Sequence, residues 1–99
     1  MYEVEKPKIE LDPDVANEVP WSDNITPYDD QHTITYLRLL DADAEDADWQ
    51  EVARIVLHRD PIAEPERTRH CWKDHLRRAK WMTEVGYRSI LEQQRDTLQ

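Results

Sequence analysis

The 99-residue sequence holds one glycine, one cysteine and no phenylalanine. A lone glycine, Gly86, excludes the glycine-rich loops that cradle phosphates. A lone cysteine, Cys71, excludes an intramolecular disulfide and fits a reducing compartment. No apolar run approaches the ~20 residues that span a bilayer. The opening MYEVEKPKIELD lacks the basic head and apolar stretch of a signal peptide. A cytoplasmic location is therefore expected, with no membrane partner. The length allows one domain, which buries about 60–65% of its unfolded surface.

Acid is abundant but unevenly placed. Residues 1–31 carry nine acids and two bases, residues 32–66 nine acids and three bases, and residues 67–99 four acids and eight bases. The formal net charge is −9. Such a split is a statement about partners rather than fold. The first two thirds repel nucleic-acid phosphates and the last third attracts them. Taken over the whole molecule, the balance makes direct DNA binding unfavourable and a protein partner the better expectation.

The pattern along the chain is all-α. Residues 1–25 alternate acids with isolated apolar residues and carry Pro7, Pro13 and Pro20. This composition reads as a disordered or loosely docked acidic arm. Residues 26–95 read as a small helix-turn-helix-like domain of three to four helices. Thr26, Pro27 and Asp29 form the start signal of a first helix. Thr33, Tyr36, Leu37 and Leu40 then share its inner face, and the acidic run DADAED is expected to stop it. A second capping box, Asp48 with Glu51, opens a helix whose buried stripe is Trp49, Val52, Ala53 and Val56. It stops before Pro61. A third helix runs from about Pro65 to Met82 with Trp72, Leu76 and Ala79 inward, flanked by Thr68, His75 and Thr83. Gly86 reads as its cap. A short fourth helix is expected from about Tyr87 to Gln94, burying Ile90 and Leu91.

A helix, a turn and a longer basic helix make up the order of a helix-turn-helix unit. Small Ala53 permits close approach of the two helices. The connection His58–Glu64 is longer than usual and has no glycine. With Trp72 set inward, a helical wheel at ~100° per residue places Arg67, His70, Asp74, Arg77, Arg78 and Trp81 outward, with Lys73 and Lys80 flanking. Tryptophan and arginine are enriched at binding hot spots. Leu39 and Ile55 project away from the inner stripes of their helices. Candidate protein-binding residues are therefore Leu39, Ile55, His70, Arg77, Arg78 and Trp81. The alternative is a DNA-reading face of Arg67, His70, Lys73, Arg77, Arg78 and Lys80.

Nothing in the pattern supports catalysis. Cys71 and His75 lie four apart on one face, but zinc wants four ligands and no second pair exists. As a catalytic dyad they lack an orienting third group and an oxyanion hole. No metal, cofactor or small-molecule ligand is expected, and the chain is read as a binder rather than an enzyme.

Four words between Tyr28 and Leu91 carry a resemblance: TYLRLLDA, ADWQEVARIVLHRDP, EPERTRHCWKDHL and RAKWMTEVGYRSIL. On these the chain resembles the domain-of-unknown-function 2285 family of proteobacteria, associated with mobile elements and transcriptional regulation. Larger members are activators built from helix-turn-helix-like domains. Short acidic members are antiactivators that bind and block quorum-sensing LuxR-type and related-domain activators of conjugative transfer of an integrative and conjugative element. The resemblance therefore implies capture of a transcriptional activator without DNA contact.

Overall fold

The computed structural model describes residues 10–86. Every regular element among them is helical: α1 (Pro27–Gln31), α2 (Thr33–Ala44), α3 (Trp49–Val56) and α4 (Pro65–Trp81), followed by a π-helical turn at Met82–Gly86. The fourth helix expected from Tyr87 to Gln94 lies outside the described residues. Gly86 belongs to the π turn, so it does not cap α4 directly.

The Thr26–Pro27–Asp29 start signal forms as a full capping box, with each side chain bonded to the other's backbone N–H. The first expected helix is two. His32 interrupts it between α1 and α2, with φ −103 and ψ 20. The acidic run does not stop α2 at Leu40, because two alanines favour the helix and Ala42 packs on the core. Lys80 of α4 also lies 3.4 Å from Asp43 and offsets one of those acids. The chain turns instead at Asp46, whose φ of 58 is left-handed. Such a conformation costs roughly 1–2 kcal/mol for a residue with a Cβ. Asp46→Gly should therefore raise stability by about 0.5–1 kcal/mol in urea unfolding. A loss on that substitution would show that the Asp46 side chain contributes something the turn requires.

The second capping box does not close, since Asp48 makes no side-chain cap bond. α3 is held by packing: Val52, Ala53 and Val56 are buried. It ends before Asp60, at a left-handed His58 with φ 58. The carbonyl of Ala53 accepts from both Leu57 and Arg59 there. The long connection to α4 is ordered by Asp60. Its carboxylate accepts from the backbone N–H groups of Ile62 and Ala63, and its carbonyl accepts from the Thr68 hydroxyl. Those two backbone bonds hold the Asp60 carboxyl below its ordinary value.

α2, α3 and α4 all touch one another, α2 and α4 most extensively. Leu39, Val52, Val56, Leu57, Cys71 and Leu76 form the shared core, with Ala53 wholly enclosed between helices. Two stripes are rotated from expectation. On α2 the buried residues are Thr35, Tyr36 and Leu39, whereas Leu37 is exposed. The cause is that α2 is covered by both α3 and α4. Leu37 and Leu40 instead line a nearly apolar groove with Tyr36, Ala79 and Met82. On α4 the buried set is Thr68, Cys71, His75, Leu76, Arg78 and Ala79, with Trp72 only half-buried. Their mean direction lies about 50° from Trp72, on the Cys71 side, at ~100° per residue. That rotation carries Arg78 inside.

Residues 10–25, read from composition as part of a disordered or loosely docked arm, lie along the helices as non-helical backbone with Val15 and Val19 buried. Val15 joins the shared core.

Candidate functional site

α4 organises the site, and its sides do different things. The inward and arm-facing sides anchor the fold. Arg78 is 0% exposed and binds Asp29 through two bonds, Nε–Oδ1 at 3.0 Å and Nη2–Oδ2 at 2.6 Å. Its remaining donors reach the carbonyls of Ser22 and Asn24 at 2.6 and 3.0 Å. Asp29 also accepts from the Tyr36 hydroxyl at 2.8 Å and from the Thr26 backbone. Burial pushes the Asp29 carboxyl up, but the bonds from Arg78, Thr26 and Tyr36 outweigh it and hold it below 3.8. Burial, then the bond to Asp29, pushes the Tyr36 hydroxyl far up.

A carboxyl of depressed pKa stabilises the fold fully above its unfolded pKa, and that stability is lost as pH falls through its folded one. Asp29 and Asp60 both have this sign. The domain should lose stability as pH drops from about 5 toward 2, and Asp29→Asn should lose less across that window. Urea midpoints read at successive pH values check this. An equal slope in the variant would remove Asp29 as a source.

A second polar chain ties the arm down. The Tyr28 hydroxyl accepts from the Ala16 N–H at 3.0 Å and lies 2.6 Å from His75 Nε2. His75 Nδ1 lies 2.8 Å from the Cys71 carbonyl. One tautomer satisfies everything: Nδ1–H donates to Cys71 and Nε2 accepts from Tyr28. Burial pushes the His75 pKa down, which keeps that neutral ring. The Cys71 thiol, pushed up by burial, donates to the Ala16 carbonyl at 3.4 Å. His32 stacks on Tyr28, and its two ring nitrogens lie 2.7 Å from the carbonyl oxygens of Tyr28 and Asp14. Arg59 donates to Val15 and Asn17, and Asp74 accepts from the Val19 N–H at 2.6 Å. Cys71 and His75 are thus committed to holding the arm.

The sequence-derived candidates scatter accordingly. Leu39 is 1% exposed and belongs to the core, so it offers no surface anchor. Arg78 is structural, and neither face can use it. Ile55 is exposed. His70 faces the arm, 3.1 Å from Glu18, and Arg67 pairs with Glu64 at 3.0 Å. Trp81 is half-buried. Trp21 of the arm meets it edge-on at 5.8 Å, and Arg78 stacks over it at 3.8 Å. Arg77 lies over Trp21 at 4.7 Å and stays exposed, as do Lys73 and Lys80.

One contributor was missed. Arg69, exposed and 5.7 Å above Trp49, shares a helical stripe with Lys73, Arg77 and Lys80. With Trp72 taken as the inward axis, Arg69 fell on the flank of the wheel. Recentring on Cys71 and His75 turns it outward. Among the described residues, Arg69, Lys73 and Arg77 have no ion-pair partner. The arm covers the His70–Asp74–Arg78 side of α4, so this stripe is what remains open.

No helix among the described residues is long and apolar enough to cross a membrane. No curated protein matches the chain. A family model does, over residues 10–92, described as the DNA-binding domain (RovC type) of a T6SS transcription factor. The match corrects two expectations. The family is this one and not the domain-of-unknown-function 2285 family, and the antiactivator role drawn from that resemblance falls with it. The expectation against direct DNA contact is also overturned. It summed charge over a molecule whose acids and bases are segregated along the chain: the −9 is carried largely by residues 1–25 and 41–51, and among the described residues only Asp43 of these pairs with a cation of the open stripe, Lys80. The matched span takes in the docked arm and every described helix, and the chain belongs to the family of T6SS transcription-factor DNA-binding domains.

Proposed function

We propose that the chain regulates transcription by binding duplex DNA through the exposed stripe Arg69, Lys73, Arg77 and Lys80 of α4. It acts by binding, with no catalytic step. The observation that carries the reading is the set of three cations without an acidic partner among the described residues, open on the longest helix of a helix-turn-helix order. Everywhere else the described cations are paired or buried: Arg38 with Asp12, Arg54 with Glu51, Arg67 with Glu64, and Arg78 with Asp29. Arg59 is spent on the arm.

From Arg69 to Lys80 the stripe extends about 16 Å at ~1.5 Å per residue. An α-helix, about 10–12 Å across with its side chains, fits a major groove about 12 Å wide, and the stripe then runs along the groove. Arginines at its first and third positions offer planar forks to base edges or phosphates, and the lysines serve as point charges for phosphate. The buried Arg78–Asp29 pair and the clamped arm hold α4 in place, so little ordering is required on contact. The test is fluorescence anisotropy of labelled duplex DNA with the full chain across a salt series. Binding that weakens with salt at a log–log slope of about −3 to −4 is expected for three to four phosphate contacts. No binding at low salt with micromolar protein would remove the reading.

A further inference from the structure

The outer side of α4 also carries an open cleft of about 580 Å³. That volume falls within the ~300–1,000 Å³ of small-ligand sites. Trp72 and Trp81 of α4 line it together with Trp21 of the arm, so three of the four tryptophans of the chain converge there. Lys73, Arg77 and Lys80 border it, against the single acid Glu84. The cleft exists in this form because the arm is docked. Arg78 holds the carbonyls of Ser22 and Asn24, which brings Trp21 onto Trp81.

Indoles and cations around one opening have a specific complement: a flat aromatic ring that bears a phosphate. The ring stacks on indole, worth about tenfold or more in affinity per base, and the phosphate meets the ammonium and guanidinium groups. An aliphatic acid would leave the indoles unused, and a neutral aromatic would leave the cations unused. We infer that this cleft binds a nucleotide unit, its base against Trp72 and Trp81 and its phosphate on Lys73 and Lys80. The inference rests on the DNA-binding reading in one respect: the cations of the cleft belong to the same phosphate-facing stripe. That sharing favours nucleic acid over a protein partner, which would have to displace DNA to reach the tryptophans. A free mononucleotide and an unpaired nucleotide within a strand present the same chemistry.

Tryptophan emission of the full chain, titrated with deoxyadenosine monophosphate, with single-stranded polydeoxyadenylate and with duplex DNA, tests this. The expected result is saturable quenching by the single strand. Trp81→Ala should weaken strand binding about tenfold while duplex affinity changes less than about threefold. Trp81→Phe keeps a stacking ring and should retain most of the binding, and Trp72→Ala gives an independent reading if Trp81→Ala loses helicity. Quenching by the mononucleotide as well identifies the free nucleotide as a ligand, and quenching by the strand alone identifies the unpaired nucleotide. Either outcome supports the cleft. Duplex binding without quenching by strand or mononucleotide overturns it, as does strand binding unchanged in both Trp72→Ala and Trp81→Ala. Saturable quenching by an acidic aromatic peptide, with none by nucleotides, overturns it in favour of a protein partner. Strand binding without duplex binding removes the duplex reading and leaves the cleft standing.

Discussion

Arg78→Ala should cost the domain about 3–5 kcal/mol, the largest loss expected from any single substitution. The side chain is fully enclosed and so is its partner Asp29. Removing the guanidinium strands a buried carboxylate and leaves the Ser22 and Asn24 carbonyls without their donor. A domain of this size has roughly 5–15 kcal/mol of stability in all, so the variant should sit near its unfolding threshold. Urea unfolding followed by far-ultraviolet circular dichroism measures it. Arg78→Lys should also be costly, because an ammonium cannot make the two-pronged bond to Asp29 and reach both carbonyls. The pair Arg78→Met with Asp29→Leu should cost less than the sum of the two single substitutions, since no lone charge remains, although the α1 cap is lost with Asp29. A cost below about 1 kcal/mol for Arg78→Ala would mean that water or backbone movement satisfies Asp29 without it.

The second large effect concerns DNA. Replacing Arg69, Lys73 and Arg77 together by alanine should lower duplex affinity at least about a hundredfold, at ~1–3 kcal/mol per base-reading arginine plus the phosphate contributions. The salt slope should flatten by about one unit for each phosphate contact removed. Unfolding should change little, because all three side chains are exposed and make no ion pair with a described residue. The comparison that decides between faces is Arg67→Ala, which sits on the same helix but is paired to Glu64. It should leave both affinity and slope nearly unchanged. If Arg67→Ala and the triple variant weaken binding equally, the contact face is not the stripe described.

The helices were legible in the sequence because their signals are local. Thr26–Pro27–Asp29 and Pro65 mark starts, and Val52, Ala53 and Val56 recur at helical spacing. The inside of α4 was not legible. An arginine turns inward only if something meets its charge, and here that is an aspartate 49 residues earlier. Nothing at either position announces the other. Setting Trp72 inward compounded the error: its bulk suggested the core, yet it lies half-buried against Trp49 at the rim. From that one choice followed the outward placement of Arg78 and the omission of Arg69. Leu39 is hidden for a related reason, since α2 carries two covered stripes where its pattern suggests one. The docking of residues 10–25 left the least trace. Much of its docking runs through backbone amides and carbonyls, which carry no side-chain signal, and the partners of its side chains lie far along the chain: Arg59 for Asn17, His70 for Glu18 and Trp81 for Trp21. The net charge misled because it is a sum, and binding depends on where charge lies.

The way the arm is gripped has a consequence for variation. His32, Arg59, Tyr28, Cys71, Asp74 and Arg78 hold its main chain at Asp14, Val15, Ala16, Val19, Ser22 and Asn24. A segment secured by its peptide groups keeps its path whatever its outward side chains are. Asp23 can therefore be exchanged for a neutral or basic residue, and Glu18 with the loss only of its exposed pair with His70, while the strap stays in place. The domain thus carries a replaceable edge beside its basic helix, on which charge and shape can drift between relatives without the scaffold being rebuilt.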